Sequence, residues 1–176
     1  MATTITIPAK YGWVLLASAA IGLQCYMTGF IMSHKKRNKH FNKKYLEENF
    51  SELHKKSVGD FPLPAGGYPD MGSGRYSEKL KYEDWFDFNN GLRVHQNYVE
   101  NVGVLIPATL IAGLKFPRAA AIAGAIHLLG RTLYAAGYSS KQGGDKREAG
   151  AVMAHSSTGV NIILSIIAAV KIAKGL

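Results

Sequence analysis

The sequence alternates long apolar blocks with strongly polar segments, and this segregation limits the folds open to the chain. Residues 11–33 contain no charged side chain. As a helix, this block would be about 34 Å long, enough to cross the roughly 30 Å hydrocarbon core of a bilayer. Three further apolar blocks follow. We predict an all-α integral membrane protein, a four-helix bundle subunit forming one domain over residues 1–176, with spans at about 11–33, 90–114, 118–138 and 149–173.

The first apolar block is predicted to be a retained span and not a cleaved signal peptide. It is longer than the apolar region of an ordinary signal peptide, and the basic run HKKRNKH follows it at 34–40. The chain has one cysteine, Cys25, so no disulfide framework is expected.

The net charge of +9 allows a nucleic-acid surface as an alternative, but the positions of the cations favour a membrane protein. The cations concentrate in two connections, 34–87 and 139–148, where the second carries Lys141, Lys146 and Arg147. Because basic loops stay on the cytosolic side, we predict that both connections are cytosolic and that no nucleic acid is bound. The cations can also attract anionic lipid headgroups.

The connection at 34–87 is much longer than the others. Within it, the apolar residues of 41–58 recur at helical spacing, which predicts an amphipathic surface helix. The segment FPLPAGGYPDMGSG that follows is rich in proline and glycine and is predicted to be irregular but ordered.

Polar side chains enter the second apolar block at its basic end. Arg93, Asn97 and Glu100 are spaced i, i+4 and i+7, so a helix presents them on one face. Ionisable groups inside a span are costly and are therefore candidates for function. The alternative, that these groups only join helices to one another, stays open on the residues alone.

The third block repeats this arrangement with Arg131, Tyr134 and Tyr138, spaced i, i+3 and i+7. Both polar sets lie toward the cytosolic ends of their spans, so we predict that they converge on one pocket. Arginine matches carboxylates, glutamate accepts from an ammonium, and asparagine and tyrosine add hydrogen bonds. Such a pocket suits a zwitterionic ligand with more than one carboxylate, such as glutathione. His95 and His127 lack ligand-spaced partners, and no metal or haem site is expected.

The segment FNNGLRVHQNYVEN resembles the signature of the MAPEG superfamily of integral membrane proteins in eicosanoid and glutathione metabolism, especially its microsomal glutathione S-transferase 3 branch. That branch carries a motif of the form FN–x3–R–x–HQN–x2–E, which here reads Phe88, Asn89, Arg93, His95, Gln96, Asn97 and Glu100. The segment GRTLYAAGYSS at 130–140 and the YPDM at 68–71 resemble further segments of the same branch. The likeness covers nearly the whole chain.

The resemblance implies a homotrimer that binds glutathione, as co-substrate, at subunit interfaces near the cytosolic face. Arg147 matches the arginine that stabilises the glutathione thiolate in the superfamily, and Lys35 and Lys36 stand where relatives often carry an arginine pair. The second substrate would be lipophilic and enter from the bilayer of the endoplasmic reticulum or a mitochondrial membrane. The remaining glutathione contacts implied by the resemblance are Arg93, His95, Asn97, Glu100, Arg131, Tyr134 and Tyr138.

Two departures from the family pattern keep a second function open. Asn–Val–Gly–Val follows Glu100 where the branch usually continues with a tyrosine and proline, so one tyrosine contact is absent. Residues around 41–66 also look inserted beside the site entrance. We therefore expect either a glutathione transferase with peroxidase activity or a non-catalytic subunit of the same fold within a larger membrane complex, such as a respiratory assembly, surrounded by unrelated membrane subunits.

Overall fold

The structure, a computed structural model, describes residues 6–140 and 142–176; the predicted cytosolic cation Lys141 and the first residues of the predicted domain lie outside this part of the chain. The described residues are mostly helical and contain no strand. The longer helices are α1 (Tyr11–Thr28), α2 (Lys35–His40), α3 (Lys43–Val58), α4 (Tyr82–Gly113), α5 (Pro117–Tyr138) and α6 (Glu148–Ala173). A π-helical turn, Gly29–His34, separates α1 from α2.

These residues form two compact units. The first unit contains the residues up to Tyr26 and those from Asn97 onward, and the second unit is Met27–Gln96. Helix α4 supplies residues to both. The prediction of a single domain stays a prediction.

Three helical stretches of the described chain are long and apolar enough to cross a membrane: Tyr11–His40, Pro117–Tyr138 and Gly143–Ala173. They correspond to three of the four predicted spans. Helix α4 is 32 residues long, but Asn97, Glu100 and Asn101 interrupt its apolar part and the helix ends at Gly113. Its uninterrupted apolar stretch from Val102 is therefore only about 18 Å long, so a span formed by α4 would have to include these polar residues.

In the first unit, α5 and α6 approach each other through small residues. A Cβ atom placed on Gly130 would lie 2.7 Å from the backbone nitrogen of Ala154, and one on Gly150 would lie 2.3 Å from that of Tyr134. Glycine lets two helix backbones touch where lipid provides no hydrophobic drive for association. A buried hydrogen bond also joins α6 to α4, from Asn161 Nδ2 to Thr109 Oγ1 at 2.9 Å.

The second unit has an aromatic core that uses the apolar face of α3. Asn42 caps this helix by accepting from the backbone N–H of Tyr45 at 3.0 Å. Leu46 and Phe50 on α3 are buried with Phe41, Phe88 and Leu92. The amphipathic pattern predicted a helix over 41–58, and α3 occupies Lys43–Val58. Leu46 and Phe50 pack inside the protein and are not available to a membrane surface, whereas Leu53 on the same helix is 54% exposed.

Arg37 and Asp70 organise the irregular segment after α3. The Arg37 guanidinium is buried, donates to the carbonyl oxygens of Gly66 at 3.0 Å and Asp70 at 2.7 Å, and lies 4.1 Å from the centre of the Tyr68 ring. The buried Asp70 carboxylate accepts hydrogen bonds from residues 72, 74 and 77. The Pro/Gly-rich segment is thus ordered by polar contacts that its composition alone does not specify.

Two carboxylates make the second unit sensitive to acid. Burial opposes ionisation of Asp70, but hydrogen bonds from Ser77, Gly72 and Gly74 outweigh it and lower the pKa of Asp70. Burial also opposes ionisation of Asp87, but Lys36, Lys39 and His40 lower its pKa. Because both pKa values are lower in the folded state, their stabilisation is present above the ordinary aspartate value of about 4 and is lost as pH falls through the folded values.

We therefore expect the second unit to lose stability as pH falls from about 5 to below 3. The measurement is chemical unfolding followed by Trp85 fluorescence in a Trp13→Phe background at each pH. Asp70→Asn should destabilise the unit at neutral pH and flatten part of the pH dependence, while Asp60→Asn, at an exposed position, is the matched control. An unfolding free energy that is constant across this range would contradict the prediction.

Candidate functional site

Arg131 is the centre of a polar cluster within the first unit. It is 4% exposed, and its Nη1 donates to the side-chain oxygen of Asn97 at 2.7 Å. The guanidinium carbon lies 4.3 Å from the ring centre of Tyr98 and 4.4 Å from that of Tyr134. Two aromatic faces thus hold the cation while it fixes the amide of Asn97. With its oxygen engaged by Arg131, Asn97 presents its NH2 group as a donor.

A second amide, which sequence reasoning missed, connects this cluster to α1. The Tyr98 hydroxyl donates to Gln24 Oε1 at 2.8 Å, and Gln24 Nε2 donates to the carbonyl oxygen of Leu128 at 3.1 Å and to Thr132 Oγ1 at 3.0 Å. The signal was present in the sequence as an amide side chain inside the first apolar block. Its partners could be identified only once the helices were placed beside one another.

Tyr138 links the cluster on α5 to Arg147. The ring centres of Tyr134 and Tyr138 are 5.1 Å apart, and Arg147 Nη1 donates to the Tyr138 hydroxyl. A Cβ atom on Gly137 would lie 2.5 Å from the carbonyl oxygen of Lys146, so glycine is required for the 143–147 turn to approach α5 this closely. That approach brings the guanidinium, which is only partly buried, to the tyrosine.

Five predicted site residues therefore lie in one connected group of the first unit: Asn97, Arg131, Tyr134, Tyr138 and Arg147. Glu100 belongs to the same unit and is exposed on α4. The partly exposed Arg147 guanidinium, the phenol hydroxyls and the Asn97 amide offer hydrogen-bond donors to an anionic ligand. The donor set suits a ligand that carries carboxylates.

The other predicted site residues belong to the second unit, where two of them have partners. His95 Nδ1 lies 3.0 Å from Thr28 Oγ1, and its ring packs against Gly29 at the π-helical turn. Lys36 pairs with Asp87, which also contacts Lys39 at 2.9 Å. Because Lys36 is held by this carboxylate, a ligand would have to compete for its ammonium group.

Arg93 and Lys35 are exposed in the second unit. Their side chains are therefore open to solvent or to another surface. Exposure is compatible with the predicted binding role of both residues, which stays a prediction.

Membrane-length helices and a buried arginine–tyrosine–amide cluster define a helical membrane protein with a polar site among its helices. The sequence profile of the MAPEG family matches residues 13–170, so the chain belongs to the MAPEG family. This family includes glutathione transferases and related membrane proteins. Together with the apolar helices, membership indicates an integral membrane protein.

One relative is an uncharacterized protein, sll1147, from Synechocystis sp., which is 38% identical over 78 residues. The match covers 44% of this chain and 56% of that protein, so the chain spans little more than half the length of this curated relative. No solved structure matches the chain.

Proposed function

We propose that this protein is a glutathione-dependent transferase and peroxidase that acts on lipophilic electrophiles at a membrane. Its membership of the MAPEG family and the connected group formed by Asn97, Arg131, Tyr134, Tyr138 and Arg147 support this function. The observation that carries it is the contact between Arg147 and Tyr138, because it places a partly exposed cation beside phenol donors.

The proposal includes an assembly and a topology. Four spans, with α4 as the second, would form a four-helix subunit of a homotrimer, as in the microsomal glutathione S-transferase 3 branch. The connections 34–87 and 139–148 would face the cytosol from the endoplasmic reticulum or a mitochondrial membrane. Glutathione would lie at subunit interfaces, where its contacts would be Arg93, His95, Asn97, Glu100, Tyr134, Tyr138, Lys35 and Lys36.

Arg147 has the catalytic role in this proposal. A guanidinium beside the sulfur favours thiolate over thiol and so raises the concentration of the nucleophile. The sulfur then forms a bond to the electrophilic carbon while the leaving group departs with its electron pair. In the peroxidase reaction, two glutathione thiols are oxidised to the disulfide and the hydroperoxide is reduced to an alcohol and water.

The direct test is purified protein in detergent, assayed with glutathione and 1-chloro-2,4-dinitrobenzene or a lipid hydroperoxide. We expect product formation that requires glutathione, together with a mass of three identical chains. Protein that neither binds glutathione nor forms product while the trimer is intact would refute the proposal.

A second candidate is a non-catalytic subunit of a larger membrane complex. The use of Lys36 and Arg37 inside the second unit favours it, since these cations stabilise local structure at the end of the first helical stretch. Isolation from native membranes as a single copy among unrelated chains would support this candidate and exclude the trimeric enzyme.

We expect Arg131 to act as a positioning residue for Asn97 and not as a direct glutathione contact. Arg131→Met should raise the KM for glutathione by about tenfold or more, because a hydrogen bond to a charged group contributes roughly 1.5–3 kcal/mol. kcat should change less. Arg131→Lys keeps the charge but loses the planar fork, so it should restore affinity only in part.

The control for Arg131→Met is Leu133→Ala, an exposed position on the same helix. Steady-state kinetics and trimer mass would be measured for all three variants. A loss of about tenfold in the kcat of Arg131→Met with an unchanged KM for glutathione would contradict the positioning role.

A further inference from the structure

An apolar groove runs between α1 and α5 in the first unit, outside the polar cluster. It encloses about 690 Å³. Alanines such as Ala121 and Ala125 give it a shallow floor, and Trp13 and Leu128 form part of its walls. Ala17 and Gly124 bring the two helices into contact there, since a Cβ atom on Gly124 would lie 3.0 Å from that of Ala17. The groove is therefore a shallow apolar depression that is open along its length.

The length of the groove matches one leaflet of a bilayer. Its lining residues extend from Lys10, just before α1, to Ala20 on α1, and from Arg118 to Leu128 along α5. Ten residues of helix rise about 15 Å, which is half of the roughly 30 Å hydrocarbon core. Both helices begin at the same end of the groove, so one of its ends lies at the membrane surface and the other near the midplane.

Charge is confined to the surface end of the groove. Lys10 and Arg118 are its charged lining residues, and no carboxylate lines the groove within the described part of the chain. Trp13 lies beside them and is 65% exposed, at the depth where indole rings favour the bilayer interface. Two cations above an open apolar groove complement a phosphate attached to an acyl chain.

We propose that this groove is a binding site for an anionic phospholipid. Lys10 and Arg118 hold the phosphate, and one acyl chain lies over the alanine floor between α1 and α5. The site is separate from the proposed glutathione chemistry and does not depend on it.

Trp13 provides a direct probe of the site, because the chain contains only one other tryptophan, Trp85. The full chain with Trp85→Phe would be reconstituted in phosphatidylcholine vesicles containing a small fixed fraction of lipid with brominated acyl chains, which quench indole fluorescence on contact. We expect brominated phosphatidylglycerol to occupy the site in preference to brominated phosphatidylcholine, by on the order of tenfold, given the attraction of two cations.

Removing the two cations with Lys10→Gln and Arg118→Gln should abolish this preference. The matched control, Lys171→Gln with Lys174→Gln, removes the same charge at the end of α6 and should preserve it. Ala125→Leu narrows the floor and should weaken quenching by both lipids, whereas Ala136→Leu, at an exposed position outside the groove, should not.

Equal quenching by the two lipids, or a preference that survives loss of both cations, would overturn the proposal. Protection of Trp13 from both lipids would also overturn it, since another protein surface would then cover the groove. Circular dichroism of every variant verifies that the helices are intact.

Discussion

Gly150→Ala is expected to destabilise the protein by about 3 kcal/mol, near the upper end of the ordinary cost of overpacking. The added methyl carbon would lie 2.3 Å from the backbone nitrogen of Tyr134 and 2.7 Å from the carbonyl oxygen of Gly130. Neither atom belongs to a side chain that could rotate away. Helix α6 would have to move away from α5, and this would lengthen the contact between Arg147 and Tyr138 as well.

The same helix offers a matched control for this substitution. Gly159 has no neighbouring atom within 4 Å of an added Cβ, so Gly159→Ala should be neutral or stabilising by up to about 1 kcal/mol through helix propensity. Thermal unfolding in detergent, followed by circular dichroism, would compare the two variants. Equal melting temperatures for Gly150→Ala and the unmodified protein would show that α5 and α6 are not packed through these glycines.

Arg147→Ala is expected to have the largest effect on catalysis. If its guanidinium stabilises the glutathione thiolate, removing it should raise the pKa of the bound thiol by about 1–3 units. Near neutral pH this would reduce the thiolate, and with it kcat/KM, by about tenfold to a thousandfold. The pH–rate profile should shift to higher pH by the same amount, because the ordinary thiol titrates near 8.5.

Two further variants separate the role of charge from that of shape. Arg147→Lys keeps the charge and should restore part of the thiolate, but a single ammonium cannot reproduce the fork that reaches Tyr138. Lys146→Ala removes an exposed cation from the adjacent position and should leave the pH–rate profile unchanged. A fall in rate without a shift of the profile would show that Arg147 has a structural role, and the catalytic assignment would fail.

Part of the site could be read directly from helical spacing. Arg131, Tyr134 and Tyr138 recur at i, i+3 and i+7, and the structure buries all three on α5. Spacing could not show that Arg131 donates to Asn97 and lies between Tyr98 and Tyr134, because these contacts depend on how α4 and α5 pack. Gln24 escaped prediction for the same reason, since its partners are distant in sequence.

The connection at 34–87 shows a different limit of prediction from sequence. Its apolar periodicity predicted a helix, and α3 occupies the same region. The periodicity also allowed a membrane surface as the partner of that helix, whereas the structure uses Leu46 and Phe50 in the core of the second unit. Amphipathicity defines which face is buried, but it does not identify what covers that face.

The sequence by itself determined the helical class, the positions of the apolar helices and the spacing of polar groups, because these properties follow from local composition and a fixed helical period. Tertiary structure alone decided which of those groups meet. Arg131 reaches Asn97 because α4 packs beside α5. Arg147 reaches Tyr138 because Gly137 lets the 143–147 turn come into contact with α5. Such contacts depend on the shapes of two elements at once, and no single stretch of the chain encodes them.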